Sequence, residues 1–164
     1  MADVEFKVEN SVLWITLNRP EQMGALTSGM RDEIIARLLA ARTEQAVRAV
    51  VLTGKGKGIC TGADLSRPAG APVSTDPPMV GAGREMMKYG SQLLLRTIWE
   101  FEKPFIAAIN GTAAGLGAHL AFASDLILVA EGVRFIEVFV RRGIAMDAAG
   151  GFLLPRVMPL AQAK

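Results

Sequence analysis

Two loops rich in small residues could together hold a negatively charged oxygen. The first runs from Gly58 to Leu65 and the second from Asn110 to His119, and each follows a predicted strand. Glycine and alanine let a ligand approach the main chain closely, and the second loop opens a helix whose first N–H groups lack partners within the helix. If the loops face one another, these N–H groups converge on a carbonyl oxygen that gains charge during enolisation. Glycines after strands also form ordinary turns, so both interpretations stay open at this point.

Histidine and cysteine are scarce in this chain, which limits zinc-binding and nucleophilic chemistry. There is one histidine, His119, and one cysteine, Cys60, which excludes an intramolecular disulfide and a structural zinc site built from these residue types. His119 falls in the first turn of a predicted helix, where an imidazolium is disfavoured. A neutral ring there could orient a substrate or a water, or could simply pack in the core. The glycine-rich run from Gly54 to Gly62 lacks the spacing of a nucleotide-binding loop, and no serine lies in a nucleophile elbow.

The elements that must position these loops alternate between strand and helix. Strands are predicted at residues 4–8, 12–17, 49–53, 105–109 and 126–130, and helices at about 28–39, 84–101 and 116–123. The first helix is capped by Thr27 or Ser28, and its predicted apolar face is Met30, Ile34, Ile35, Leu38 and Leu39. The second helix is predicted to turn inward Met86, Leu93, Leu94 and Phe101. Segment Arg67–Pro78, rich in Pro, Ala, Gly and Ser, predicts a mobile loop. The pattern indicates an α/β fold in one domain, residues 1–164.

Composition and charge narrow the classes of partner. The net charge of +2 is too small to indicate nucleic acid or an anionic membrane surface. The uncharged stretch 104–124 has the length of a membrane span, but Asn110, His119 and three glycines divide it into a buried strand and a buried helix. The first nine residues alternate apolar and charged side chains, unlike a signal peptide. We therefore expect no membrane and no nucleic-acid partner, and a cytoplasmic location.

An ordered set of short strings resembles the successive signatures of the crotonase (enoyl-CoA hydratase/isomerase) family. The strings are Leu17-Asn18-Arg19-Pro20, Ala25-Leu26, Ala49-Val50-Val51-Leu52-Thr53-Gly54, Gly62-Ala63-Asp64-Leu65, Lys103-Pro104-Phe105-Ile106-Ala107-Ala108-Ile109-Asn110-Gly111, Ala123-Ser124-Asp125-Leu126 and Arg142-Gly143-Ile144. They occur in the family's order and cover the chain from Val4 to about Val157. The resemblance implies a spiral of repeated ββα units, a substrate that is an acyl-CoA or enoyl-CoA, and no metal or cofactor other than coenzyme A within that thioester.

The resemblance also implies roles for particular residues. An oxyanion hole would take its two main-chain N–H donors from Ala63 and Leu116. Ala25, Ala63, Asp64 and Leu65 match positions that line the adenine and pantetheine of coenzyme A. Asp64 could instead cap the turn that follows it.

The chain departs from the family where hydratases carry two glutamates. Those positions match His119 and Phe139, and phenylalanine cannot carry a proton. Glu137 is a possible substitute, because on a strand it would share a face with Phe139. Asp147 is the better candidate, since some family members place a functional aspartate in this segment, where one carboxylate could move a proton between two carbons. Asp147 could instead cap a helix beginning at Ala148.

These implications predict an enzyme that stabilises a thioester enolate during double-bond isomerisation or hydration. Hydrolysis or C–C cleavage by the same site, with His119 positioning water, is an alternative, and so is a non-catalytic acyl-CoA-binding protein. Family members continue beyond the position of Lys164 with helices that close the acyl pocket and form trimers or hexamers. We therefore expect the C-terminal helical oligomerisation part to be missing from this chain, and the protein to form a homotrimer or a dimer of trimers.

Overall fold

The computed structural model describes residues 2–66 and 79–164, so the predicted loop Arg67–Pro78 lies outside the described residues. Within these ranges, eight strands form two sheets, and six α-helices pack around them. The strands are β1 (Val4–Glu9), β2 (Val12–Leu17), β3 (Ala49–Gly54), β4 (Gly58–Cys60), β5 (Phe105–Ile109), β6 (Thr112–Ala114), β7 (Leu126–Val129) and β8 (Phe135–Ile136). The helices are α1 (Ser28–Ala41), α2 (Ala82–Tyr89), α3 (Ser91–Trp99), α4 (Leu116–Phe122), α5 (Gly150–Val157) and α6 (Leu160–Ala163).

The strands are shared between the sheets in a repeating order. The first sheet runs β1-β2-β3-β5-β7 and the second runs β4-β6-β8. Each of β3, β5 and β7 is followed along the chain by one short strand of the second sheet and then by helix. All pairs are parallel except the β1–β2 hairpin. The predicted α/β spiral of ββα units is therefore confirmed.

The first unit shows how the sequence produces these elements. The hairpin turns at Asn10 and Ser11, both with positive φ (51° and 62°), as the two-residue turn with matching twist requires. The inward side chains of β2 alternate with outward ones, and Leu13, Ile15 and Leu17 are fully buried. The Thr27 hydroxyl accepts a hydrogen bond of 3.2 Å from the Met30 N–H, which caps α1.

Two predicted helix faces were wrong in part. Leu39 is 49% exposed, because Leu38 fills the inward position and the next residue on a helix points about 100° away. The predicted helix 84–101 is two helices that meet at Gly90, whose φ and ψ are −105° and −108°. The break changes the phase of the apolar stripe, so Met86 is 67% exposed while Leu95 and Ile98 are buried.

The second sheet was not predicted from the residue pattern. Its strands have only two or three residues, whereas alternation is recognisable over four to eight. They are held by pairing between distant parts of the chain, such as Cys60 with Ala113 and Ala113 with Phe135. Stretch 104–124 folds as β5, β6 and α4, and in the described ranges no helix is long and apolar enough to cross a membrane.

Candidate active site

The two small-residue loops meet at one pocket of about 390 Å³. The first loop contributes Gly62, Ala63 and Leu65 to the lining, and the second contributes Gly115 and Leu116. The parallel pairing of β4 with β6 brings the loops together, because each loop contains one of these neighbouring strands and continues beyond its end. Tertiary structure thus places Ala63 and Leu116, 53 residues apart in the numbering, on one pocket.

Each predicted N–H donor follows a glycine with positive φ. Gly62 has φ of 112° and precedes Ala63, while Gly115 has φ of 50° and precedes Leu116. Residues with a side chain rarely adopt this backbone, so glycine is needed where the chain turns just before each of the two predicted donors.

The hydrogen bonding around Ala63 leaves its own N–H available. Leu26 donates from its N–H to the Gly62 carbonyl at 2.9 Å, and its carbonyl accepts from the Asp64 N–H at 2.9 Å. This single parallel bridge uses the groups on either side of Ala63. Neither the Ala63 N–H nor the Leu116 N–H donates to an acceptor in residues 2–66 and 79–164. Two donors that need partners therefore border the pocket.

Close packing fixes the position of the second loop. A Cβ on Gly117 would collide with the Cys60 carbonyl, and a Cβ on Gly111 would collide with the Lys57 carbonyl. Both obstacles are main-chain atoms, which cannot rotate away. The strand ends that hold the two amides are thus in backbone contact, a rigidity that suits preorganised donors.

Asp64 has a structural role in the first loop. Its carboxylate accepts from the Ser66 N–H at 2.8 Å and pairs with the Arg19 guanidinium at 2.6 Å. Hydrogen bonds from Ser66 and Arg19 hold the pKa of Asp64 at about 2. Arg19 also donates to the Ala25 carbonyl at 2.7 Å and so joins the first loop to the segment before α1. Sequence analysis missed this function of Arg19, which only the fold reveals.

The other predicted coenzyme-contacting residues surround this loop. Ala25 is half-buried beside the Leu26–Ala63 bridge, while Leu65 is 80% exposed at the edge of the pocket. An exposed leucine next to a pocket offers an apolar contact for a ligand. The contacts predicted for Ala25, Ala63, Asp64 and Leu65 with coenzyme A stay predictions.

Asp147 also lines the pocket, together with residues of the segment from Val138 to Ile144. Burial raises the pKa of its carboxyl above the ordinary value, and the nearby Glu137 charge acts in the same direction, while His119 opposes it. The predicted alternative, a cap on a helix beginning at Ala148, is wrong: α5 begins at Gly150, and no side chain caps it. The two residues between them, Ala148 and Ala149, both have positive φ (44° and 69°). Such strained backbone occurs where a side chain must be held in place.

His119 lies behind the pocket wall. Its side chain is fully buried, and it is not among the pocket-lining residues. Its Nε2 is 3.2 Å from Oε2 of Glu137, and its ring stacks on Phe139 with centroids 5.5 Å apart and planes 9° apart. Glu137 and Phe139 do not share a strand face, because β8 ends at Ile136 and Phe139 begins a 3-10 helix, Phe139–Arg142. Glu137 therefore faces His119 and is not a pocket-lining residue.

Further charged and reactive groups complete the description of the site. Arg141 and Arg142 also line the pocket, which sequence analysis did not anticipate because the 3-10 helix that presents them has no recognisable periodicity. Burial raises the pKa of the Cys60 thiol to about 11, so this cysteine is a protonated core residue. In the described part of the chain, no group of three His, Cys, Asp or Glu side chains could hold a metal ion.

Comparison with known proteins identifies one family consistently. The family model described as enoyl-CoA hydratase/isomerase matches residues 7–164. A Rhodobacter capsulatus protein named "Probable enoyl-CoA hydratase" is 37% identical over 98% of this chain and 58% of its own length. The 1,2-epoxyphenylacetyl-CoA isomerase of Escherichia coli is 34% identical over 95% of this chain and 58% of its own. This chain therefore spans somewhat more than half of these relatives.

A solved structure agrees with these sequence matches. The crystal structure of an enoyl-CoA hydratase from Bacillus anthracis superimposes with a TM-score of 0.87 and 29% sequence identity. The superposition covers 99% of this chain and 61% of that chain.

Proposed function

This chain belongs to the enoyl-CoA hydratase/isomerase family, and we propose that it carries the site at which an enoyl-CoA thioester is converted to an enolate and its double bond is moved. The observation that carries the proposal is the meeting of three groups on one pocket. They are the N–H donors of Ala63 and Leu116 and the carboxylate of Asp147. The donors supply electrostatic stabilisation and the carboxylate moves the proton.

The two amides act on the thioester carbonyl. When a proton leaves the carbon next to the carbonyl, the electron pair moves onto the oxygen and makes an enolate. Hydrogen bonds from Ala63 and Leu116 to that oxygen strengthen as its charge grows, so they lower the barrier more than they tighten ground-state binding. Removal of one such donor typically costs about 3 kcal/mol in the transition state.

Asp147 is proposed to act as base and then as acid. Its ionised carboxylate takes a proton from C2 of a 3-enoyl thioester, and the electron pair delocalises into a dienolate. The same carboxyl group then returns the proton to C4, which gives the 2-enoyl product with no net change in protons. Burial raises the pKa of Asp147 towards the range in which a carboxyl both accepts and returns a proton efficiently.

The site favours isomerisation over hydration, the reaction for which family members use two glutamates. At the two positions that match those glutamates, this chain has a buried histidine and a phenylalanine. Phe139 cannot bind a proton, and His119 does not reach the pocket. Among the described lining residues, Asp147 alone carries a carboxylate, and one carboxylate suffices for a proton shift. The related isomerase of Escherichia coli is named for an epoxide substrate, 1,2-epoxyphenylacetyl-CoA.

The test is a product analysis on the purified protein. We would incubate it with 3-enoyl-CoA and 2-enoyl-CoA of several chain lengths and follow the double bond, water addition and free thiol. Interconversion without thiol release supports the proposal. Thiol release would indicate hydrolysis instead, and tight acyl-CoA binding in calorimetry without turnover would indicate a non-catalytic protein.

Asp147→Asn is the decisive variant, since it keeps the shape of the side chain and removes the base. We expect kcat to fall by about 10³-fold or more, with acyl-CoA binding retained. Full activity of this variant would overturn the role of Asp147. Asp32→Asn, which changes a carboxylate on the exposed surface of α1, is the matched control.

The predicted oligomer is kept as part of the proposal. Strand β7 is at one end of the first sheet, and Leu126, Leu128 and Val129 on it are each more than half exposed. Apolar side chains concentrated at a sheet edge are typical of a protein–protein interface. We propose a homotrimer or a dimer of trimers, which sedimentation velocity would test. We also propose that coenzyme A, as part of the substrate, is the sole cofactor.

A further inference from the structure

A pair of ionisable side chains, the fully buried His119 and the 24% exposed Glu137, lies near Asp147. His119 is fully buried on α4, and its Nε2 is 3.2 Å from Oε2 of Glu137, which follows β8. Phe139 covers one face of the imidazole. Ionisable groups are costly to bury unless they are paired and serve a purpose. The proposed reaction uses neither side chain directly, because neither lines the pocket.

The partners of the pair indicate where the proton lies. Nδ1 of His119 and Oε1 of Glu137 are both buried and have no hydrogen-bond partner in the described residues. A proton on Nδ1 would be a buried donor without an acceptor, which is unfavourable. A proton on Nε2, by contrast, faces the Glu137 carboxylate. The geometry therefore favours a neutral ring with its proton on Nε2 and a lone pair on Nδ1.

The imidazole supports the turn that carries Asp147. A Cβ placed on Gly150 would collide with Nε2 of His119, so the glycine backbone lies directly against the ring edge. The Gly150 N–H in turn donates to the Asp147 carbonyl at 2.8 Å. A displacement of the ring would thus pass through Gly150 to Asp147. The strained Ala148 and Ala149 complete this turn, which needs such support from its surroundings.

The pair also influences the charge of Asp147. Burial contributes most to raising the pKa of Asp147, and the Glu137 carboxylate raises it further, whereas a positive charge on His119 would lower it. The other charged groups that face the pocket are Arg141 and Arg142 on the 3-10 helix, and both are exposed to solvent. Solvent screens exposed charges more than buried ones. The Glu137 carboxylate, 24% exposed, is therefore less screened than either arginine, and its charge raises the pKa of Asp147.

We propose that Glu137 and His119 are a positioning pair for Asp147: Glu137 holds the imidazole in its Nε2–H form, the ring edge supports the Asp147 turn, and the Glu137 charge keeps Asp147 ready to take up a proton. This inference rests on the proposed function of Asp147. It assigns Glu137 a place behind the reacting carboxylate, and not the role of a second acid that touches the substrate.

Glu137→Gln separates charge from hydrogen bonding, because its amide oxygen still accepts from Nε2–H. Asp147 must be ionised to act as base, so kcat/KM rises with pH through its pKa. Loss of the Glu137 charge makes ionisation easier and moves this limb to lower pH. The plateau rate changes little. Glu131→Gln, at an exposed position between β7 and β8, is the matched control and leaves the limb in place.

Glu137→Leu removes both charge and acceptor. We expect the same direction of shift together with a plateau kcat lower by about 10- to 100-fold, because the turn loses its support. A residue with a purely structural role would lower stability without moving the pH limb. If Glu137→Leu does not fold, Glu137→Gln alone decides the question.

Two spectroscopic readouts do not depend on activity. The chain has a single histidine, so ¹⁵N-histidine labelling gives the protonation of His119 without assignment. We expect a protonated Nε2 and an unprotonated Nδ1 in the wild-type chain and in Glu137→Gln, and a loss of this preference in Glu137→Leu. The ¹³C carboxyl signal of Asp147, assigned by its absence from Asp147→Asn, should titrate at lower pH in Glu137→Gln.

The outcomes distinguish this inference from the proposed function. An Asp147 carboxyl that titrates identically in wild type and Glu137→Gln overturns the positioning pair, whatever the activity. A proton on Nδ1 in the wild type overturns it also. An active Asp147→Asn would overturn the proposed function instead, even if both spectroscopic expectations were met.

Discussion

The pocket has two walls of different construction. The wall with Ala63 and Leu116 presents main-chain N–H groups from loops fixed by strand pairing and by glycines in contact with neighbouring backbone. The wall with Asp147 consists of a 3-10 helix and turns between Phe139 and Gly150. Its side chains include Val140, 83% exposed, and Ile144, 55% exposed. The first wall is fixed by backbone pairing and backbone contact, whereas the second depends on turns and side chains, several of them exposed.

This difference separates two tasks of the site. A main-chain N–H is present whatever the side chain, so a wall made of amides can stabilise an enolate in proteins whose side chains differ. The choice among proton transfers depends on which carboxylate or imidazole the other wall presents. Under the proposed function, the first wall fixes the class of intermediate, and the second fixes what happens to it.

After the loss expected for Asp147→Asn, the largest effect comes from deleting a donor in the main-chain wall. Leu116 is the first residue of α4, a position that tolerates proline, so Leu116→Pro removes the N–H with little cost to the helix. We expect kcat for 3-enoyl-CoA isomerisation to fall by about 10²- to 10³-fold. Leu116→Met keeps the N–H and nearly the same volume, and should lose far less. Equal activity of both variants would break the distinction between the two walls.

A smaller effect is expected from adding a methyl group where Gly150 contacts the His119 ring, next to the wall that carries Asp147. Gly150→Ala places a methyl group against the His119 ring, and we expect a loss of about 1–3 kcal/mol in the free energy of unfolding. Gly151→Ala is the neighbouring control, because nothing lies within 4 Å of its added methyl. Urea denaturation measures both. If Gly150→Ala were as stable as Gly151→Ala, the ring would not be supporting the turn.

Asp147 itself should reduce stability slightly. Its pKa is raised in the folded state, so the folded chain binds more protons than the unfolded chain between the ordinary value and the raised one. The resulting destabilisation is absent below pH of about 4 and complete above the folded-state pKa. At pH 7, the free energy of unfolding of Asp147→Asn should therefore exceed that of the wild type. The difference should be less than about 1 kcal/mol, because the group is partly solvated. Thermal melts from pH 4 to 8 test this, and a difference that grows towards low pH would contradict it.

The smallest effect concerns Cys60 beneath the main-chain wall. The thiol is 1% exposed and burial raises its pKa to about 11, so thiol reagents should not modify it in the folded chain. Labelling should appear only as urea unfolds the protein, and mass spectrometry would follow it. Rapid labelling without denaturant would mean that the backbone packing around Gly117 opens readily.

The residue pattern predicted the local elements well and the second sheet not at all. The β1–β2 hairpin, the Thr27 cap and most of the α1 face depend on neighbours within a few residues, and these predictions were confirmed. The strands β4, β6 and β8 are too short to have a pattern of their own. They form because the first sheet brings them side by side, an effect that no local window contains.

The candidate site divides in the same way. The sequence alone indicated the two small-residue loops, since a turn that needs positive φ requires glycine, and glycine is visible in the sequence. It left two roles open for Asp147, catalysis and helix capping, and it could not show that strand β8 ends at Ile136, just before Glu137. The pairing of Glu137 with His119 joins residues 18 apart through different elements.

The sequence by itself therefore determined where the main chain can turn, which faces are apolar, and which family's signatures follow one another. Only the tertiary structure decided that Ala63, Leu116 and Asp147 border one pocket and that His119 lies behind it. The physical reason is one of range. Turn and helix preferences act over a few residues, whereas burial, electrostatic coupling and the meeting of two loops depend on distances through space that the chain acquires only when it folds.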